Sequence, residues 1–249
     1  MAAPSRMVSV LIPVFNEAPS VRACLERLDA AAGALVELGL TSEVVVVDDG
    51  STDGTGDILR QLAEERSSLR VLKHPINLGK GAAMRTALRA ARGDIALFHD
   101  ADMEYDPRDH PAVLRPIIEG RADVVIGSRF IGHTHRVLYF WHSVVNRGLT
   151  LLSNITTNLN LTDIECCAKA FTREVFERIE IEENRFGIEP EVVAKVARLR
   201  IDGRRTRVYE VGVSYDGRTY AEGKKIGWRD GVSALRCVLW YGLGPHRGR

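Results

Sequence analysis

Five times between residues 8 and 129 a short apolar run ends in a cluster of polar or charged residues, and between the runs apolar residues return at helical spacing. The runs cover residues 8–14, 43–47, 69–74, 94–98 and 122–126, and the helical stretches cover 20–38, 55–65, 79–91 and 109–119. Continuous apolar runs suit strands buried on both faces, whereas Val21, Leu25, Leu28 and Leu35 repeat as one face of a helix does. Repeated strand–helix units of this kind predict an α/β fold with a mostly parallel central sheet flanked by helices. In such sheets ligands bind beyond the carboxyl ends of the strands.

The polar clusters fall at those ends: Asn16-Glu17, Asp48-Asp49-Gly50-Ser51, Asn77-Leu78-Gly79-Lys80-Gly81, Asp100-Ala101-Asp102 and Gly127-Ser128-Arg129. One such cluster is ordinary turn chemistry. Five on one rim point to a binding site. With 249 residues, 45% of them hydrophobic, the chain suits a single domain over 1–249. Its 34 basic and 33 acidic residues leave a formal charge of +1, which argues against nucleic acid as a partner. Cys24, Cys166, Cys167 and Cys237 form no C-x-x-C pair, so neither a metal clip nor a disulfide framework is expected, and a cytoplasmic location fits. Residues 1–7 lack the apolar core of a signal peptide, and no stretch approaches the roughly 18 apolar residues of a membrane span.

The second half is less regular. Residues 137–155 read as an apolar helix interrupted by His142, Asn146 and Arg147, residues 163–171 as a strand or turn-strand unit, 189–198 as a helix and 207–214 as a strand. Residues 226–241 read as an amphipathic C-terminal helix. Val137, Leu138, Tyr139, Phe140 and Trp141, and the later stripe of Trp228, Val232, Leu235, Val238, Leu239 and Trp240 near Lys224, Lys225, Arg229 and Arg236, suit a bilayer interface. They equally suit packing against the domain or a second subunit, as in a homodimer. His142, Asn146 and Arg147 either line an acceptor phosphate site or find hydrogen bonds in the interior.

Asp100 and Asp102, with Glu104 two residues on, follow the strand 94–98, where carboxylates in this spacing can converge on one hard divalent cation. Such a cation and nearby basic residues neutralise a diphosphate leaving group, and Arg129 and Lys80 lie on the same rim. A lone D-x-D motif carries little weight. The motifs together carry more.

In order, Val10-Leu11-Ile12-Pro13-Val14-Phe15-Asn16-Glu17, Val46-Val47-Asp48-Asp49-Gly50-Ser51-Thr52-Asp53-Gly54-Thr55, Asn77-Leu78-Gly79-Lys80-Gly81, Asp100-Ala101-Asp102 and Gly127-Ser128-Arg129-Phe130 resemble family 2 glycosyltransferases. Within that family they are most similar to the dolichol-phosphate mannose synthase and polyprenyl-phosphate glycosyltransferase branch. The resemblance implies a GT-A fold (Rossmann-like, of the nucleotide-diphospho-sugar transferases), with a nucleotide-sugar-binding half over 7–130 and an acceptor-binding half over 131–241. It implies that Pro13, Phe15, Glu17, Val47 and Asp49 surround the nucleoside, Glu17 and Asp49 accepting hydrogen bonds from ribose or base. Asp100, Ala101, Asp102 and Glu104 would hold Mg²⁺ or Mn²⁺ and the diphosphate, and Arg129 would contact phosphate. Mannose synthases usually carry Gln where this chain has Glu104. They also tend to have Asp-Pro-x-Ser-Gly where this chain reads Thr162-Asp163-Ile164-Glu165-Cys166-Cys167, so the acceptor does not carry across. The stretch 215–225 resembles the basic loop that closes over the phosphates, which makes Arg218, Lys224 and Lys225 candidates; a solvated linker is the plainer reading.

A lipid monophosphate acceptor is already anionic near neutral pH and needs no general base. A hydroxyl acceptor needs a carboxylate, and Asp163, Glu165, Glu189 and Glu191 are available. The sequence therefore predicts an inverting hexosyltransferase using a GDP- or UDP-sugar and a polyprenyl phosphate, peripheral to the inner face of the cell membrane. Asp102, Arg129, Glu165, Glu189 and Arg218 are its candidate catalytic residues, and Lys80, Lys224 and Lys225 further donor contacts. Transfer to a soluble hydroxyl acceptor is the alternative. A non-catalytic nucleotide-sugar-binding module is another, and a nucleotidyltransferase is disfavoured because residues 13–17 are not a Gly-rich phosphate loop.

Overall fold

The computed structural model describes residues 6–132, 134, 136, 137, 139–219 and 227–244. Strand β1 (Arg6–Val14) leads through α1 (Val21–Glu37) to β2 (Leu40–Asp48), then α2 (Thr55–Glu65), β3 (Leu69–Lys73), α3 (Lys80–Ala90) and β4 (Ile95–Phe98). A 3-10 turn at Pro107–Asp109 precedes α4 (His110–Ile118) and β5 (Val124–Ser128). The second half supplies α5 (Phe140–Thr157), β6 (Lys169–Thr172), α6 (Arg173–Phe176), α7 (Ile188–Arg198), β7 (Arg200–Ile201), β8 (Arg204–Arg205), β9 (Val208–Gly212) and α8 (Trp228–Leu243).

Seven strands form one sheet in the order β3-β2-β1-β4-β6-β5-β9. The expected parallel sheet is there, with one exception: among the described residues β6 runs antiparallel, between β4 and β5. Its short run, Lys169 to Thr172, carried no parallel-strand signal, because the crossover from β5 through α5 returns the chain in the opposite direction. The helix α6 and the β7–β8 hairpin were also outside the sequence expectation.

The apolar runs are the core: Val8, Leu11, Val45, Val46, Val47, Ala96, Leu97, Val124 and Val125 are all fully buried. Strand order reverses beside β1, whose neighbours are β2 and β4, so a crevice opens at their carboxyl ends. The second half of the chain lines it too, with α5, α7 and α8 packed on one another.

Candidate active site

One cavity of about 1020 Å³ occupies the rim, lined from Pro13, Phe15, Glu17 and Asp49 through Asp100, Asp102 and Glu104 to Trp141 and His142 of α5 and Val232 and Leu235 of α8. Its first wall is two loops locked together. Ser51 Oγ accepts from the Asn16 N–H at 2.9 Å, Asn16 Oδ1 accepts from the Thr52 N–H at 2.9 Å, and Thr55 Oγ1 accepts from the Glu17 N–H at 3.0 Å. Gly50 sits at φ +74°, and a Cβ there would stand 2.5 Å from the Ile76 backbone, so this turn admits glycine alone.

Asp49 lies on the cavity, but its oxygens are already engaged, by the His74 ring at 2.6 Å and by the N–H groups of Leu78 at 3.0 Å and Gly79 at 2.7 Å. It shapes the 77–79 turn. Val47 is fully buried in β2 and is not among the lining side chains, because its strand position faces the core. Pro13, Phe15, Glu17 and Ala101 do line the cavity.

The acidic cluster carries alternating charge. Lys80 Nζ lies 3.0 Å from Asp100 and 3.0 Å from Glu189, and the fully buried Lys169 pairs with the other oxygen of Glu189. Burial opposes both charges, yet attraction wins, holding Asp100 below the usual carboxylate range and Lys80 well above the usual ammonium one. Asp102 has weaker relief: burial and then the Asp100 and Glu104 carboxylates push it up to about 7, against the Glu104 N–H and the Arg218 charge. Arg218 stands among three acids, 3.4 Å from Asp102, 3.5 Å from Glu104 and 3.6 Å from Glu17. Glu104 also accepts from the Tyr215 hydroxyl at 2.8 Å. Among the described residues no three acidic, His or Cys side chains form a ready metal-binding group, since Asp100 is held by Lys80 and Glu104 by Tyr215 and Arg218.

Arg129 lines the cavity while its guanidinium grips buried Asp163 and its Cζ lies 5.1 Å from the Tyr215 ring centroid. The four candidate bases separate here. Asp163 is bound to Arg129 and Asn146, Glu189 to two lysines, and Glu191 to the N–H groups of Glu182 and Glu183 and to Lys195. Glu165 faces the cavity with its Oε1 buried and unbonded, and burial followed by the Glu189 charge pushes it up to about 7.

On α5, His142 and Asn146 line the cavity, whereas Arg147 is exposed beside the Phe130 ring. Lys224 and Lys225 lie outside the described residues, as does Leu138. The C-terminal stripe splits: Val238 is buried, while Val232, Leu235, Leu239 and Trp240 are exposed. Lys169 and Tyr215 were missed as site residues. A lysine inside the apolar stretch Cys167-Ala168-Lys169-Ala170-Phe171 was a readable signal, because lysine is almost never fully buried without a partner.

A doubly wound sheet with acidic and basic residues convergent on its rim defines the GT-A class of fold. Glucosyl-3-phosphoglycerate synthase from Mycobacterium tuberculosis, solved with Mn²⁺ and UDP-glucose, shares that fold at a TM-score of 0.70 and 23% identity, over 98% of this chain and 81% of that one. The chain belongs to glycosyl transferase family 2, whose pattern matches residues 9–180. It is similar to an undecaprenyl-phosphate mannosyltransferase of Micrococcus luteus, 31% identical over 246 residues, 94% of this chain and 93% of the relative. It is also similar to glycosyltransferase AglD of Haloferax volcanii, 31% identical over 197 residues, 77% of this chain but 31% of that longer protein.

Proposed function

We propose that this chain transfers a hexose from a nucleotide-diphosphate sugar to a polyprenyl phosphate, with inversion at the anomeric carbon. The observation that carries the reading is the continuity of one cavity from the nucleoside loops, past the acidic cluster, to the apolar flanks of α5 and α8. Phe140, Trp141, Val145, Leu151 and Ile155 of α5 and Val232, Trp240 and Leu243 of α8 are exposed, and Trp141, Val145 and Val232 of these line it. Apolar helix faces with Trp suit a bilayer surface that delivers a lipid acceptor. Among the described residues no helix is long and apolar enough to cross a membrane. A relative named for undecaprenyl-phosphate mannosyl transfer, spanning most of this chain, supports the same acceptor class.

Asp102, crowded by two other carboxylates, fits a divalent cation, and an all-oxygen donor set suits Mg²⁺ or Mn²⁺. Asp100 and Asp102, with Glu104, would hold it once Asp100 leaves Lys80 and Glu104 leaves Tyr215 and Arg218. When bound, the ion supplies charge neutralisation at the departing nucleoside diphosphate. Arg129 and Arg218 add fixed positive charge beside that group, and Glu17 and Phe15 border the nucleoside. A phosphate acceptor attacks as its own anion, which fits a site where Asp163, Glu189 and Glu191 are tied up.

The test is direct. Purified protein with undecaprenyl phosphate in detergent, Mn²⁺ and radiolabelled UDP-glucose or GDP-mannose should move label into the organic phase. Label that moves only onto soluble hydroxyl acceptors would overturn the lipid assignment.

A further inference from the structure

Among the described residues, two buried acceptor oxygens of cavity-lining side chains lack hydrogen-bond donors: Oε1 of Glu165 and Oε1 of Glu189. The second has Lys80 Nζ at 3.0 Å, near enough for charge attraction but not aimed to donate. The first has no hydrogen-bond partner among the described residues. A buried acceptor without a donor is costly, and a ligand in the cavity that such a side chain lines can supply the donor.

The surroundings narrow that ligand. Glu165 and Glu189 are the carboxylates on this stretch of wall, and the charge of Glu189 beside Glu165 disfavours an anion there. Lys80 and Lys169 already neutralise Glu189, and Arg129 neutralises Asp163, so a further cation has little to gain. What fits is a neutral group rich in O–H donors. Glu189 shares Lys80 with Asp100, which puts this wall next to the acidic cluster, where the glycosyl-transfer reading places the sugar of a bound donor.

The Glu165 backbone is held on both sides. Its N–H donates to Asp163 Oδ1 at 3.1 Å, and the Lys169 ammonium binds the carbonyls of Ile164 and Cys166. A side chain on so fixed a backbone can discriminate between hydroxyl positions.

We infer that Glu165, with Glu189 at its side, accepts hydrogen bonds from hydroxyls of the transferred hexose and thereby selects the sugar. This rests on the glycosyl-transfer reading above. Glu165 is a specificity-determining residue in this account and abstracts no proton.

The experiment uses the full chain with Mn²⁺, undecaprenyl phosphate in detergent, UDP-glucose or GDP-mannose, whichever is turned over faster, and the four single-deoxy analogues of that donor. Glu165→Ala should lower kcat/KM with the parent donor by about tenfold or more, as for a site whose hydroxyl contact is lost. Glu165→Gln, which keeps an acceptor oxygen, should stay within about fivefold of the parent enzyme. With one deoxy analogue Glu165→Ala should cost nothing further, and inhibition by UDP or GDP should not move. Glu165→Met serves the same comparison if the alanine variant does not fold. Equal losses on every analogue, or a parallel loss of UDP or GDP binding, would overturn the inference. A Gln variant as inactive as the Ala variant would overturn it too, in favour of a general base for a hydroxyl acceptor. If the parent protein turns over no donor, glycosyl transfer itself falls and takes this inference with it; turnover with additive losses removes only the inference.

Discussion

Arg129 holds Asp163 three times over, through Nε at 2.6 Å, Nη2 at 2.9 Å and its own backbone N–H at 3.1 Å. The pair ties the end of β5 to the loop before β6 and fixes the arginine on the cavity wall. Burial would raise the Asp163 carboxyl, but the Arg129 charge and hydrogen bonds hold it below the usual range. Asp163→Ala leaves a largely buried guanidinium without its partner. Breaking such pairs costs about 3–5 kcal/mol, so urea unfolding should show a loss of that order. An unchanged midpoint would show that Arg129 finds another partner.

The carboxyl of Glu165 predicts a pH dependence of stability. Its folded pKa of about 7 lies above the ordinary glutamate value of 4.5, so folding takes up a proton between those limits. The stabilisation linked to it is complete below the lower value and is lost as pH rises through about 7. Glu165→Gln should therefore be more stable than the parent at pH 8, by about 3 kcal/mol, with little difference at pH 4.5. Urea midpoints at the two pH values check the sign.

Asp123 accepts from both Arg204 and Arg207, anchoring the β7–β8 hairpin to the start of β5. Burial pulls its pKa up, but the hydrogen bonds from the two arginines depress it overall. Its contribution is therefore full above the unfolded value of about 3.9 and is lost as pH falls below it. Asp123→Asn should cost about 1–3 kcal/mol at pH 7 and flatten the acid limb of the stability curve. Parallel curves for the two proteins would refute this.

The proposed cation site centres on Asp102. Asp102→Ala, folded by circular dichroism, should lose at least about a hundredfold in turnover, and excess chelator should abolish turnover in the parent protein. Full activity of the variant in chelator would remove the cation from the proposal.

The exposed faces of α5 and α8 give the last expectation. Replacing Phe140, Trp141 and Trp240 by Ser should abolish sedimentation with anionic vesicles and raise KM for undecaprenyl phosphate, while turnover of a short, soluble prenyl phosphate persists. A dimer of the parent protein by light scattering, with no vesicle binding, would assign the face to a second copy instead.

The chain by itself determined the strand–helix alternation, the crevice rim and most of the residues on it. Burial on both faces writes itself as a continuous apolar run, and the turn that follows must be polar, so Pro13, Glu17, Asp100 and Asp102 were legible. Tertiary structure alone decided which charged groups are already engaged. Arg129 meets Asp163 across 34 positions, Lys80 meets Glu189 from another helix, and Asp49 is taken up by the distant 77–79 turn. No periodicity encodes such pairings, because they depend on which distant segments the sheet order brings together. The antiparallel course of β6 is of the same kind: it follows from where α5 leaves the chain, and it leaves Glu165 facing the cavity with an open oxygen.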